Sequence, residues 1–292
     1  MIRNWLKYKL LYFALSALMI VISIYGLTSW GLPLGIDFKG GAEGEYRLKN
    51  QISNELLIAK LEEGGFEVSA VQSIGDSSIL IRFSNFVEGR KLDVINIIKE
   101  VTGEEVEETR FENVGPSIGR ELVKKTYYAI AIAAGLILLW VAYQFKSFVF
   151  GVSAILAMFH DSFILIGFFS LFGHFYDAEV DFLFVTALLT TLSFSVHDTI
   201  VVYDRIREIR KKHGGEIQKI ANQALTETMR RSINNSLTII FMLLALIFLG
   251  GITIRWFAAA LLIGTVLGTY SSPFVAVPLL VTWEELSRII KK

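Results

Sequence analysis

The stretch Ser193-Phe194-Ser195-Val196-His197-Asp198-Thr199-Ile200-Val201-Val202-Tyr203-Asp204-Arg205-Ile206-Arg207-Glu208 decides how this chain is read. Its first two thirds belong to an apolar segment of membrane-spanning character, yet Asp198 lies inside that segment beside a histidine. Within about one and a half helical turns the chain then becomes densely charged. A carboxylate in hydrocarbon costs roughly 2.5–3.5 kcal/mol on insertion scales, so an acid placed there marks a functional site by default. The condition is that the segment crosses a bilayer, and the rest of the chain bears on that.

Five further stretches share its character. Residues 10–36 hold 27 positions without an acidic or basic side chain, and residues 126–145 hold 20. Residues 147–176 are interrupted only by His160, Asp161 and His174, and residues 182–203 only by His197 and Asp198. Residues 232–254 give 23 uncharged positions and residues 256–283 give 28. A helix of about 20 apolar residues crosses the hydrocarbon core, so each run qualifies. Composition agrees: 53% of the 292 residues are hydrophobic and 19% charged, against about 25% charged in soluble domains. Cysteine is absent, which excludes disulfides and thiolate metal sites. The first run is too long for a cleavable signal and lacks a small-residue cleavage pattern, so it reads as an uncleaved anchor.

Basic residues orient the spans. Arg3, Lys7 and Lys9 precede the first, and Lys146 lies between the second and third. The link between the fourth and fifth carries Arg205, Arg207, Arg210, Lys211, Lys212, Lys219, Arg230 and Arg231, and the C-terminus carries Arg288, Lys291 and Lys292. With six spans these fall on one side, which positive-inside makes cytoplasmic, together with both termini. Lys124 and Lys125 run against the rule without outweighing it. The basic link invites a nucleic-acid or anionic-lipid reading; topology already accounts for its charge, and nucleic acid is not expected as a partner.

The expected organisation is an N-terminus and first helix at 1–32, an outer domain at 33–123, helices two to four at 124–203, a cytoplasmic basic loop at 204–231, and helices five and six at 232–292. The outer domain carries 17 acidic and ten basic residues, a balance suited to a soluble module. Alternation predicts strands at 44–48, 66–74, 78–83 and 105–111, with a Gly75-Asp76 turn between the middle two. Ser53 opens a helix that stops at Gly64-Gly65, and a second helix ends at Gly103. The order β-α-β-β-α-β is the ferredoxin-like split motif. The fold class is thus a polytopic α-helical membrane protein with a small α+β ferredoxin-like extracytoplasmic domain between helices 1 and 2.

Polar groups inside the spans form three constellations. On the fourth, Thr191, Ser195 and Asp198 share a helical face, and Thr186, Thr190, Ser193 and His197 an adjoining one; such stripes face helices or water, not lipid. Asp198 lies about 7 Å inside the charged boundary. His160-Asp161 sits near the middle of the third span, where snorkelling cannot reach water. It serves either as a proton relay, which histidine suits, or as a packing hydrogen bond. Arg231, Asn234 or Asn235, and Thr238 share a face at the start of the fifth span. Arg231 is either a positive-inside anchor or a group that approaches an aspartate on a neighbouring helix, held when the acid is charged and released when it is protonated. Gly264 and Gly268 present a small-xxx-small surface. No Gly-x-Ser-x-Gly, His-Glu-x-x-His, phosphate loop or metal cluster occurs, so no enzyme is expected.

Several motifs resemble those of the SecD/SecF family of protein-export membrane proteins, relatives of the RND transporters. Gly35-Ile36-Asp37-Phe38-Lys39-Gly40-Gly41 resembles its G-I-D-F-x-G-G, and Val114-Gly115-Pro116-Ser117-Ile118-Gly119 its V-G-P-x-x-G. His160-Asp161 matches an H-D in the third span. Residues 195–208 resemble S-x-N-D-T-V-V-V-F-D-R-I-R-E, and Arg231-Ser232-Ile233-Asn234-Asn235-Ser236-Leu237-Thr238 resembles R-x-I-N-x-S-L-T. His197 departs from the usual asparagine. The resemblance implies a six-span RND-type half whose other half is SecD, in the cytoplasmic (inner) membrane. It implies work with the SecYEG channel, YajC/YidC-type accessory proteins, a translocating preprotein and membrane lipids, with the proton gradient as energy source and no cofactor. It further implies that Asp198 responds to protons, that Arg231 is coupled to it, that Asp161 with His160 and His197 are secondary relay groups, that Ser195, Asn234 and Thr238 are polar packing positions, and that Asp37, Gly40 and Gly41 shape a hinge. Two alternatives stand beside it: half of another RND-type exporter of lipids or small molecules, disfavoured by an outer domain of about 90 residues, and a passive membrane scaffold.

Overall fold

The computed structural model describes residues 4–48, 52–74, 77–87 and 89–290. After a 3-10 turn (Trp5–Tyr8), the elements in chain order are α1 (Lys9–Ser29), α2 (Ile36–Lys39), β1 (Gly41–Arg47), α3 (Asn54–Glu63), β2 (Glu67–Ile74), β3 (Ser78–Asn85), α4 (Lys91–Thr102), β4 (Glu107–Val114), α5 (Pro116–Phe145), α6 (Phe148–Tyr176), α7 (Phe182–His213), α8 (Ile217–Leu249) and α9 (Ile252–Ser271), then a π-helical segment (Ser272–Ala276) and α10 (Val277–Ile290). Two compact units result: Leu34–Tyr127, and Met1–Pro33 with Tyr128–Lys292. The turn expected at Gly75-Asp76 and the charges Arg3, Lys291 and Lys292 lie outside the described residues.

Leu34–Tyr127 carries the β-α-β-β-α-β order, with the sheet arranged β2-β3-β1-β4 and every neighbouring pair antiparallel. Leu57 and Leu61 on α3, and Val94 and Ile98 on α4, fall four apart and are buried to 1% exposure or less against Tyr46, Ile81 and Phe83 of the sheet. Leu56 and Leu92 on the same two helices are exposed. Tyr46 folds back over Gly44 on the same strand: a Cβ at Gly44 would stand 2.6 Å from the phenol. Burial, and secondarily the charge of Glu108, push the Tyr46 phenol above its ordinary range. On the other face Arg82 Nε donates to Glu43 Oε2 at 2.8 Å.

Among the described residues of the membrane unit, six helical stretches are long and apolar enough to span, the last running from α9 through the π segment into α10. Their apolar stretches are 50%, 56% and 61% buried in α6, α7 and the sixth span but only 17%, 11% and 17% in α1, α5 and α8. Three helices therefore make the interior and three the flanks. The first uncharged run reaches residue 36, but helix ends at Ser29, where Trp30 begins an aromatic group with Tyr25, His174 and Phe175. There Ser170 Oγ donates to Gly31 O at 2.5 Å and Val180 N–H to Pro33 O at 2.7 Å. Helices four and five outrun their apolar stretches. α7 is capped by Asp181, whose side chain accepts from Phe184 N–H at 2.7 Å. It ends on Arg210, Lys211, Lys212 and His213, cations that suit a helix C-terminus. Gly214 and Gly215 then take φ of 60° and 109°, values glycine adopts without strain.

Close approach fixes the interior. A Cβ at Gly167 on α6 would meet Ser23 Cβ of α1 at 2.1 Å and its Cα at 2.6 Å, and one at Gly264 would meet Thr191 Cγ2 of α7 at 2.1 Å. Gly167→Ala is expected to part α1 from α6 and destabilise by about 1–3 kcal/mol, read as a lowered melting temperature of the purified protein in detergent; a wild-type value would contradict this packing.

Candidate functional site

The polar residues of α6, α7, α8 and the sixth span meet around two carboxylates. Asp161 on α6 is 6% exposed. Its Oδ2 accepts from Ser195 Oγ of α7 at 2.6 Å and from Ser271 Oγ of α9 at 2.5 Å, and its Oδ1 lies 2.9 Å from Nδ1 of His160. The other imidazole nitrogen, Nε2, is buried and lacks a partner among the described residues. Asp198 on α7 is 7% exposed, and its Oδ2 accepts from Ser232 Oγ of α8 at 2.7 Å. Ser272, His197 and Arg231 complete its polar surroundings. A carboxylate removed from water needs such donors, because leaving a buried polar group unsatisfied costs about 1–3 kcal/mol and more for a charged one.

The two acids lie on different flanks of α7. Ser195 faces α6, while Asp198 faces α8, so Asp161 joins Ser195 and not Asp198. Arg231 is near enough to Asp198 to act through its charge, yet no ion pair links them among the described residues; the serine next to it makes the direct bond. An open cavity of roughly 680 Å³ adjoins Asp198 and is lined by His197, Glu227, Arg231, Asn234, Asn235 and Thr238, among others. Asn234 and Thr238 are exposed, and Thr238 Oγ1 donates back to Asn234 O. Polar packing on α8 falls instead to Ser232 and Ser236, one helical step round, where Ser236 Oγ accepts from Thr269 Oγ1 at 2.6 Å. On α7, Thr191, Ser195 and Asp198 are buried as one face, while Thr186, Thr190, Ser193 and His197 stay exposed.

Sequence reasoning missed Ser271, Ser272, Thr199 and Thr269, because hydroxyls at two neighbouring positions in a long uncharged run carry no periodicity of their own. The available signal was phase: Gly264, Gly268 and Ser272 repeat every four residues, as do Thr191, Ser195, Thr199 and Tyr203 on the facing helix. The contacts follow that register. A Cβ on Gly268 would approach Ser195 Cα to 3.1 Å, Thr199 Oγ1 lies 2.9 Å from Ser272 Oγ, and Tyr203 OH donates to Ala276 O at 3.0 Å.

The proposed hinge residues lie in the other unit. Asp37 is in the first turn of α2, and Gly40 and Gly41 follow with φ of 83° and 122°. A Cβ at Gly41 would stand 2.4 Å from Phe83 O, and one at Gly119 would stand 2.8 Å from Phe38 O. The two glycine motifs around the domain therefore touch through backbone: Gly40 and Gly41 turn α2 into β1, and Gly119 admits α2 against the start of α5.

Six spans around two buried, hydroxyl-bonded carboxylates, with a small α+β unit inserted after the first span, define a multi-pass membrane protein organised about intramembrane acids. The family described as protein export membrane protein SecD/SecF, C-terminal, matches residues 93–286. The protein translocase subunit SecF of Thermobaculum terrenum is 41% identical over 295 residues, covering 95% of this chain and 93% of that protein. The SecF subunit of Anaerolinea thermophila is 38% identical, covering 96% and 94%. A crystal structure of SecDF, a translocon-associated membrane protein from Thermus, superposes with a TM-score of 0.86 at 33% identity, covering 98% of this chain and 39% of that one. A second SecDF structure, in a super-membrane-facing form, gives 0.73 at 31% identity, covering 100% and 40%. The chain therefore spans about two fifths of the SecDF chains it matches. It belongs to the SecD/SecF family of protein-export membrane proteins.

Removing Asp161 takes away the acceptor that Ser195, Ser271 and His160 share and leaves Ser271 only Gly268 O at 3.4 Å. Asp161→Leu is expected to cost about 1–3 kcal/mol per stranded donor, and Asp161→Asn, which keeps one acceptor oxygen, distinctly less. Melting of the two variants in detergent tests this; equal losses would mean the hydroxyls find other acceptors.

Proposed function

We infer that this chain acts as a membrane subunit accessory to Sec-dependent protein translocation, paired with a SecD-type half, and that proton uptake and release at Asp198 power its part of the work. The observation that carries the reading is the position of Asp198: dehydrated, held by Ser232, and bordering an open cavity shared with Arg231 and His197. Ionised, it attracts the guanidinium and holds its hydroxyl donors; protonated, it loses that attraction, and α7 and α8 are freer to shift. One charge moved across 100 mV releases about 2.3 kcal/mol, a useful bias on such a pair of helices. The chain's role is mechanical, with no bond-making step assigned to it.

Partnership is supported by the faces left open. Thr186, Thr190, Ser193 and His197 of α7, and Arg231, Asn234, Asn235 and Thr238 of α8, are exposed along the spans. Polar stripes of this kind avoid lipid, so helices of a second subunit are the fitting cover. The SecYEG channel, YajC/YidC-type proteins and the preprotein follow as further partners in the cytoplasmic membrane, with the α+β unit on the outer side and both termini in the cytoplasm. A different RND-type exporter is disfavoured by the family and by the single small inserted domain.

Asp198→Asn is expected to leave insertion and copurification with the SecD-type partner intact while abolishing gradient-dependent stimulation of export in vesicles. A wild-type response to the gradient would sink the proton role and favour a scaffold. Orientation is directly testable because the chain has no cysteine. Lys211→Cys should react with an impermeant thiol reagent only from the cytoplasmic side, and Gly251→Cys only from the outside; the opposite pattern would invert the topology.

A further inference from the structure

We propose that Ser271 and Ser272, adjacent residues where α9 meets the π segment, join Asp161 and Asp198 into one coupled pair, so that the protonation of either carboxylate sets the tendency of the other to protonate. The proposal rests on the reading of Asp198 as a proton-accepting group.

Both serines are fully buried. Successive helical side chains point about 100° apart, so neighbours can serve two different helices. Ser271 Oγ donates to Asp161 Oδ2 on α6 at 2.5 Å. Ser272 Oγ reaches toward α7, next to Asp198 and 2.9 Å from Thr199 Oγ1. Each hydroxyl has one proton and a second acceptor within range. For Ser271 it is Gly268 O at 3.4 Å, and for Ser272 it is Ser195 O at 3.3 Å. Each serine can therefore give its proton to a carboxylate or to backbone. Ser195 closes the circuit, since its Oγ donates to Asp161 and its carbonyl is the alternative acceptor for Ser272.

The backbone that follows them is suited to move. Pro273 has no N–H to give the ladder, and Val277 N–H bonds Ser272 O five residues back. Such π turns recur at functional sites. Tyr203 OH donates to Ala276 O, so the far end of the segment also reads α7. When Asp161 takes a proton it needs fewer donors. Ser271 then turns to Gly268 O, the turn beside it shifts, and Ser272 is re-aimed relative to Asp198. The titratable and charged groups around this circuit are His160 and Tyr270 near Asp161, and His197, Arg231, Arg230 and Glu227 about Asp198 or its cavity. None of them touches both acids; the two serines are where the two networks meet.

The test is infrared difference spectroscopy of the assembled complex in membranes, following the protonated-carboxyl stretch against pH, with the Asp198 band assigned by its loss in Asp198→Asn. The Asp198 midpoint is expected to move by roughly one pH unit in Asp161→Asn, as for groups interacting at that strength. Ser271→Ala and Ser272→Ala, which leave both acids in place, should each move the wild-type midpoint, and combining either with Asp161→Asn should add little. Should Asp161→Asn fail to insert, the serine variants carry the test alone. An Asp198 band that titrates with the wild-type midpoint in these variants overturns the coupling and leaves the proton role standing. A shift in Asp161→Asn with none in the serine variants assigns the coupling to the field between the acids and overturns the role of the serines. Absence of any titrating Asp198 band overturns both readings.

Discussion

Dehydration of carboxylates governs this structure. An acid within a span has no water to accept from, so each ionised oxygen must find its donors on neighbouring helices or the group must take a proton. Asp161 draws on α6, α7 and α9 at once, and Asp198 on α7, α8 and the head of the π segment. Those demands determine which faces of α6, α7 and the sixth span point inward. They also account for the buried hydroxyls that α7 and the sixth span carry among their apolar side chains. The flanking helices α1, α5 and α8 meet no such demand over most of their length and present Leu, Ile, Phe and Tyr outward.

Donors as short as serine reach an acid only where helices come close. The four-residue repeat on the sixth span, Gly264, Gly268 and Ser272, removes side-chain bulk along the line where Thr191, Ser195, Thr199 and Tyr203 of α7 lie. In a membrane, association draws on packing and interhelical hydrogen bonds, since lipid tails are as apolar as the side chains they would replace. Here both come from the same stripe: glycine lets the backbones approach, and the hydroxyl one turn on uses the approach. The price is a missing N–H at Pro273, where the ladder slips into the π turn, and the Tyr203 hydroxyl bonds the far end of that segment.

The spans were legible because hydrocarbon imposes length and apolarity on a sequence with little tolerance. The β-α-β-β-α-β order was legible because alternation and the stops at Gly64-Gly65 and Gly103 are local. Helix ends were harder. Residues 30–36 are as uncharged as a span but leave the helix, and residues 204–213 are charged yet continue it, because hydropathy reports the solvent and not the hydrogen-bond ladder. The site was half legible. A carboxylate in an apolar run announces itself, whereas its donors do not: Ser232 stood beside the more conspicuous Arg231, and Ser271 and Ser272 sat in a run that reads as featureless. Asn234 and Thr238 share a face with Arg231, as spacing required, but that face lines the open cavity beside α7 and is not packed against a helix. Periodicity places residues on a common face and says nothing of what the face meets.

The two acids end up in unequal positions. Asp161 has its donors from this chain and is enclosed by it. Asp198 has one side packed by Ser232 and Ser272 and the other beside an open cavity with His197 and Arg231 at its rim. A guanidinium and an imidazole along a span cannot stay turned to lipid without a water defect or a partner. The chain therefore encloses Asp161 and leaves Asp198 open on one side. Histidine at position 197 sharpens this asymmetry, because its imidazole lines the open side of Asp198 together with Arg231. Whatever covers that rim has to satisfy Asp198, Arg231 and His197 together, so its fit depends on their charge state.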